Sequence, residues 1–161
     1  MNHADLLENI DRVLERAGGI DPRRLKVEIT ERDAMQNPEE SIRRMQLLSD
    51  RGIDILIDDF GIGNSSLSYL KRLPARTLKV DKSFVDQIVE NREECLFLES
   101  IIELAASRNK KIIVEGVETD AQVALIRQMK PVLFQGYYFS VPLTAAEFEE
   151  LVKNRQRLPL E

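Results

Sequence analysis

Carboxylates recur at one kind of place in this sequence. Glu28, Asp58-Asp59, Asp81 and Glu115 each end or directly follow a short run of apolar and β-branched residues. Glu31 and Glu118 stand just beyond two of them, Lys79 lies within another run, and Gln135 follows the last. A parallel α/β fold gathers the carboxyl ends of its strands at one rim, where these groups would meet. Two carboxylates about 4 Å apart repel by roughly 4 kcal/mol at an effective dielectric of about 20, so such a set has to protonate, separate or bind cations. The chain has one histidine, His3 near the terminus, and one cysteine, Cys95, which leaves oxygen donors to do the binding. Hard oxygens select Mg²⁺, Mn²⁺ or Ca²⁺ over zinc or copper. An adjacent pair such as Asp58-Asp59 at a strand end can let one carboxylate bridge two ions while its neighbour holds the second. Two cations about 3.5 to 4 Å apart activate a water and neutralise the leaving oxygen in phosphodiester cleavage. Lys79, facing several carboxylates, stays protonated and can hold a phosphate oxygen or orient the water, which leaves Glu115 as the candidate base.

The elements that must position these residues follow from periodicity. Leu6, Leu7, Ile10, Val13, Leu14 and Ala17 have helical spacing, and Gly18-Gly19 close that helix. Leu25 to Ile29 reads as a strand, and Asn37-Pro38-Glu39-Glu40 opens a helix running toward Gly52. The unit then repeats. Ile53 to Ile57 precedes a glycine-bearing loop and a helix from Ser65 to Leu70; Thr77 to Val80 precedes a long helical region ending near Arg108; Lys111 to Val114 precedes a helix from Thr119 to Met129. Val132 to Phe134 is a fifth strand, and Thr144 with Glu147 predicts a capping box at the head of a last helix. Such alternation implies right-handed parallel crossovers, satisfied by an open doubly wound sheet or by a (β/α) barrel.

Composition narrows the class. With 161 residues, 43% hydrophobic and 32% charged, the chain fits one domain that buries roughly 70% of its unfolded surface. No apolar run approaches the roughly 20 residues that cross a bilayer, and the polar start lacks the pattern of a secretory signal, so a cytoplasmic protein is expected. A lone Cys95 suits that reducing compartment as a small packed side chain. The net charge of -5, with basic residues scattered, argues against DNA, RNA or an anionic membrane as the main partner. Asn64-Ser65-Ser66 matches a glycosylation acceptor, coincidental without secretion. Gly61-Ile62-Gly63-Asn64 is a partial glycine-rich turn that lacks the rest of a dinucleotide fingerprint or P-loop and reads first as a loop hinge.

Several segments together resemble the EAL domain, the bacterial phosphodiesterase domain that linearises cyclic di-GMP. They are Glu28-Ile29-Thr30-Glu31, Asp58-Asp59-Phe60-Gly61-Ile62-Gly63-Asn64-Ser65-Ser66-Leu67, Leu78-Lys79-Val80-Asp81-Lys82-Ser83-Phe84-Val85, Val114-Glu115-Gly116-Val117-Glu118-Thr119 and Gln135-Gly136-Tyr137-Tyr138-Phe139-Ser140, in family order. The resemblance implies a TIM-like (β/α) barrel and hydrolysis assisted by two Mg²⁺ or Mn²⁺ ions. By motif, Glu28, Asp58 and Asp59 correspond to metal ligands, and Lys79 and Glu115 to the residues that handle the attacking water. Gln135, Asp81 and Glu118 match positions near the substrate, and Glu31 matches the acidic residue that fixes the loop after Asp59. The family's Glu-Ala-Leu tripeptide does not occur in this sequence, nor does the strand with an asparagine ligand that follows it.

The expectation is therefore a single incomplete EAL-type domain over residues 1–161: a partial (β/α) barrel of about five parallel strands, weakly active or inactive alone. Open sheet edges predict a homo-oligomer through such an edge or through the loop after Asp59. Two other readings compete: a non-catalytic module that binds cyclic di-GMP or assembles with a partner chain, and an unrelated barrel enzyme abstracting a proton beside a carbonyl.

Overall fold

The computed structural model describes residues 3–63 and 67–154, and among these the side chains of all but 3–6 and 67–69. The Asn64-Ser65-Ser66 sequence and the His3 side chain lie outside the described part. Helix α1 (His3–Arg16) leads through a 3-10 turn at Pro22–Arg24 into β1 (Lys26–Thr30). There follow α2 (Glu31–Gln36), α3 (Pro38–Asp50), β2 (Asp54–Phe60), α4 (Leu67–Arg72), β3 (Thr77–Val80), α5 (Arg92–Ser107), β4 (Lys111–Val114), α6 (Asp120–Ile126), β5 (Leu133–Phe134) and α7 (Ala145–Lys153).

The five strands pair in parallel in the order β1-β2-β3-β4-β5. That order decides between the two architectures left open by the sequence. A doubly wound sheet reverses its strand order at a switch point, whereas a barrel adds each strand beside the last, as here. Right-handed crossovers then lay the connecting helices on one face and leave the other as the concave inside. The strand register separates these faces. Val27, Ile29, Ile55, Ile57, Leu78, Val80, Ile112 and Val114 belong to the apolar cluster on the helix side, packed with Met45 and Leu48 of α3 and with Leu98, Ile101, Ile102 and Ala105 of α5. Leu98, Ile101, Ile102 and Ala105 stand at i, i+3, i+4 and i+7, the spacing of a single buried stripe, and each fully buried Leu or Ile contributes roughly 1.5–3 kcal/mol. By strict pleating the alternate positions Glu28, Leu56, Asp58, Thr77, Lys79 and Ile113 face the inside.

Some boundaries differ from those the periodicity predicts, for local reasons. The helical region expected to reach Arg108 in one piece is divided: Asp81 caps a 3-10 turn at Lys82–Phe84, and Asn91 caps α5 by accepting from the Glu93 N–H. Helix α2 escapes periodicity because it has six residues; the Thr30 hydroxyl caps it by accepting from Asp33 N–H. The predicted capping box at α7 is present, with Thr144 and Glu147 bonding reciprocally. At the opposite end of the sheet from the strand exits, Lys110 Nζ donates to the carbonyls of Leu73, 2.9 Å, and Ala75, 2.6 Å, tying the α5–β4 turn to the α4–β3 connection.

Candidate active site

The site is assembled where β1, β2, β3 and β4 present their inward side chains. Lys79 is its centre, with a side chain only 6% exposed. Its Nζ lies 2.8 Å from Glu28 Oε2, 2.9 Å from Asp58 Oδ1 and 2.8 Å from Glu115 Oε1. One ammonium thus joins carboxylates carried by β1, by β2 and by the residue following β4. Burial alone would lower the Lys79 pKa; its contacts with Glu115, Glu28 and Asp58 outweigh that and raise it, so the side chain is cationic throughout the neutral range.

Asp58 and Asp59 reach the same place because the sheet is irregular there. In a regular strand neighbouring side chains point to opposite faces. The β2–β3 register passes from Ile57↔Leu78 to Phe60↔Val80, so two residues of β2, Asp58 and Asp59, stand opposite Lys79 alone. This is a bulge, uncommon in parallel pairs. Asp59 takes up the extra residue with φ +54, in the left-handed region that aspartate tolerates better than most side chains. As a result Asp58, Asp59 and Glu115 each offer an oxygen within 4.8 Å of the others. Strand β2 therefore continues past the aspartate pair to Phe60, and the bulge, rather than a strand end, turns both carboxylates inward.

Four carboxylates around one ammonium leave the rim strongly negative, and the proton affinities register it. Burial raises the Glu115 pKa; Lys79 opposes this, while the charges of Asp58 and Glu28 add to it. Asp59 is raised by burial first, then by Asp58 and Asp81. Asp58 Oδ1 is buried and, despite its ion-pair distance to Lys79, accepts no hydrogen bond of proper geometry among the described residues. A buried carboxylate oxygen without a well-aligned hydrogen bond, grouped with oxygens of two further carboxylates and with no histidine or cysteine in that group, fits a hard divalent cation. Glu28 is not part of that three-oxygen group; its side chain, 48% exposed, contacts Lys79 instead.

The remaining candidate residues sit around this centre. Glu31 opens α2, is 2% exposed, and its Oε2 accepts from Gly61 N–H at 2.7 Å and Gly63 N–H at 3.3 Å, which pins the loop after β2. Asp81 accepts from Ser83 N–H at 2.9 Å. Glu118 and Gln135 are exposed at the exits of β4 and β5, and no hydrogen bond or ion pair joins their side chains to the Lys79 cluster among the described residues. Gln122 is a residue the motif reading passes over. It is buried, its Oε1 accepts from Glu118 N–H and Thr119 N–H, and its Nε2 donates to Val85 O, so it sets the course of the β4–α6 loop. The Thr119-x-x-Gln122 spacing of a capping box was the available signal.

Comparison with known proteins gives the same picture. The EAL domain profile matches residues 1–142. The cyclic di-GMP phosphodiesterase NbdA of Pseudomonas aeruginosa is 39% identical over 95% of this chain, and the oxygen sensor protein DosP of Escherichia coli 43% identical over 81%. The chain spans 19% and 16% of the length of these two relatives. Among solved structures, the PaMucR phosphodiesterase in complex with c-di-GMP superposes with a TM-score of 0.85 at 36% identity, over 91% of this chain and 59% of that one. The EAL domain of Mycobacterium smegmatis DcpA gives 0.84 at 30% identity, over 93% and 67%. Profile, relatives and superposed folds agree with the acidic rim on one conclusion: this chain belongs to the EAL domain family.

Proposed function

We propose that this chain carries an incomplete EAL-type cyclic di-GMP phosphodiesterase site that uses Mg²⁺ or Mn²⁺ and gives the linear dinucleotide. The observation that carries the reading is the convergence of Glu28, Asp58 and Glu115 on Lys79, with Asp59 turned into the same space by the β2 bulge. Glu28, Asp58 and Asp59 would hold the ions. When bound, a pair of such ions supplies charge neutralisation at the phosphodiester and a more acidic water. Glu115, its proton affinity raised by burial, accepts a proton from the attacking water at its carboxylate. The Lys79 ammonium orients that water or holds a phosphate oxygen, and Gln135, Asp81 and Glu118 contact the nucleotide from the rim. Glu31 keeps the loop after Asp59 in one course. The relatives' named activities support the substrate, and a rim that combines oxygen ligands with a raised carboxylate supports the chemistry.

The same proposal holds that the 161-residue chain alone turns over weakly or not at all, because no Glu-Ala-Leu glutamate is present to complete the ligand set. It also holds that copies associate in the cytoplasm through an open sheet edge or the loop after Asp59. The missing tripeptide favours a second reading, a module that binds cyclic di-GMP without cleaving it. Incubating the purified chain with cyclic di-GMP and Mn²⁺ tests both. A trace of linear dinucleotide that Asp58→Ala abolishes supports the first; binding by calorimetry, unaffected by chelator and without product, supports the second. Robust turnover that Asp58→Ala abolishes would overturn the weak-activity part while upholding the site, and neither binding nor product would overturn both readings.

A further inference from the structure

We propose that Gln122 is a positioning residue for nucleotide binding, which sets Glu118 at the rim by tying the β4–α6 loop to the segment that leaves β3. This rests on the reading of the rim as a cyclic di-GMP site in which Glu118 contacts the nucleotide. Gln122 lies on α6 and is 7% exposed. Its Oε1 accepts from Glu118 N–H at 2.8 Å and from Thr119 N–H at 3.0 Å, and its Nε2 donates to Val85 O at 3.2 Å. Two backbone donors face one end of the amide and a carbonyl faces the other, which fixes its orientation. A capping box accounts for only one of these three bonds, the one from Thr119 N–H. The helix would be served equally by a glutamate, and Glu147 fills that place in the α7 box. An amide is needed only for the bond to Val85 O, 37 residues away in sequence, because a carboxylate has no proton to donate. The bond from Glu118 N–H then fixes the peptide from which the Glu118 side chain projects. The same two segments cross closely at Gly116, which has φ +68 and where a Cβ would overlap that of Lys82. Val85 follows the turn capped by Asp81, and Val117 N–H donates to Gln135 O at 3.2 Å. Gln122 thus supports the part of the rim that carries Asp81, Glu118 and Gln135, and none of its side-chain hydrogen bonds reaches the Lys79 cluster.

Gln122→Glu separates this role from helix capping, since it keeps the acceptor of both N–H groups and loses the donor to Val85 O. Calorimetric titration with cyclic di-GMP in Mg²⁺ is expected to show affinity lowered by about tenfold, the order set by one buried hydrogen bond, while the affinity for Mn²⁺ alone stays unchanged. Thr119→Ala removes the cap hydroxyl and leaves all three Gln122 side-chain bonds; it is expected to destabilise α6 without changing cyclic di-GMP affinity. A double-mutant cycle gives the readout that a merely structural role would not move. Glu118→Ala alone is expected to weaken cyclic di-GMP binding, and adding Gln122→Glu to it to cost less than about twofold more, because Gln122 acts through Glu118. Additive losses, full affinity in Glu118→Ala or in a folded Gln122→Glu, or an equal fall in Mn²⁺ affinity each overturn the inference and leave the nucleotide site standing. Since Gln122→Glu can fail to fold, a second measurement uses the unsubstituted chain. With ¹⁵N labelling, the Gln122 side-chain amide resonances are expected to shift in step with the Glu118 backbone amide as cyclic di-GMP is added. Gln122 resonances that stay fixed while the Glu118 amide moves overturn the inference as well. If the unsubstituted chain binds no cyclic di-GMP, the reading of the rim as a nucleotide site fails, and the inference fails with it.

Discussion

Gly136→Ala tests how the fold delivers Gln135 to the rim. A Cβ built at Gly136 meets Val117 O at 2.1 Å, Val117 N at 2.4 Å and Val117 C at 2.7 Å, all backbone atoms, while ordinary contact begins at 3.4 Å. Relieving the closest overlap alone requires a displacement of about 1.3 Å, the difference between 3.4 and 2.1 Å. A rotamer change cannot supply it. The segment is held to β4 and its extension by Gln135 N–H to Val114 O at 2.9 Å, Val117 N–H to Gln135 O at 3.2 Å and Tyr138 N–H to Val117 O at 3.1 Å. At a net value of about 1 kcal/mol each, those three bonds set a loss of roughly 3 kcal/mol, to which any disturbance of the packed rings of Phe134, Phe139 and Tyr138 adds. Because β5 pairs with β4 through two residues only, the expected response is detachment of the β5 segment while β1 to β4 stay folded. Hydrogen exchange read by mass spectrometry should show lost protection around residues 133–140 and near-native protection in β2 and β3. Cyclic di-GMP affinity should fall with it. As a control, Gly18→Ala has nothing within 4 Å of the added Cβ and a φ of +85, so it should cost only the backbone strain of about 1–2 kcal/mol. If Gly136→Ala keeps native stability and native exchange in β5, the close approach of the two backbones is not what holds this segment, and the reasoning fails.

Other substitutions probe the remaining contacts. Glu31→Gln replaces a buried charged acceptor of two backbone N–H groups with a neutral one; a loss of roughly 1–2 kcal/mol in urea unfolding is expected, with faster amide exchange at Gly61 and Gly63. Burial lowers the Lys110 pKa below its usual 10.5, so the folded state binds fewer protons than the unfolded one between the two values, and stability should rise with pH in that window. Comparing unfolding free energies with Lys110→Met from pH 8 upward checks this through the difference in slope, and a parallel pair of curves would refute it. Thr144→Ala removes the hydroxyl half of the capping box, the acceptor of Glu147 N–H, on a helix with no buried residue, and leaves the backbone N–H of residue 144 donating to Glu147; α7 should lose about 1 kcal/mol of local stability by amide exchange with no measurable shift in the global transition.

The linear chain already determined most of the fold class and the chemical character of the rim. Apolar runs separated by helical periods are a local property, and they placed β3 and β4 at the residues where the structure has them, β1, β2 and β5 within a few residues, and the Thr144–Glu147 cap on α7. Recurrence of acids after those runs was legible for the same reason, since parallel strands must all exit at one end. Three things were settled only in three dimensions. The order of strands excluded the doubly wound alternative, because pairing between distant segments leaves no mark on either one. The bulge opposite Lys79 turned Asp58 and Asp59 to one side, because it arises from the mismatch between β2 and β3 rather than from either strand alone. The sharing of a single ammonium by Glu28, Asp58 and Glu115 came last, since the balance of burial against charge exists only once three strands have closed around Lys79.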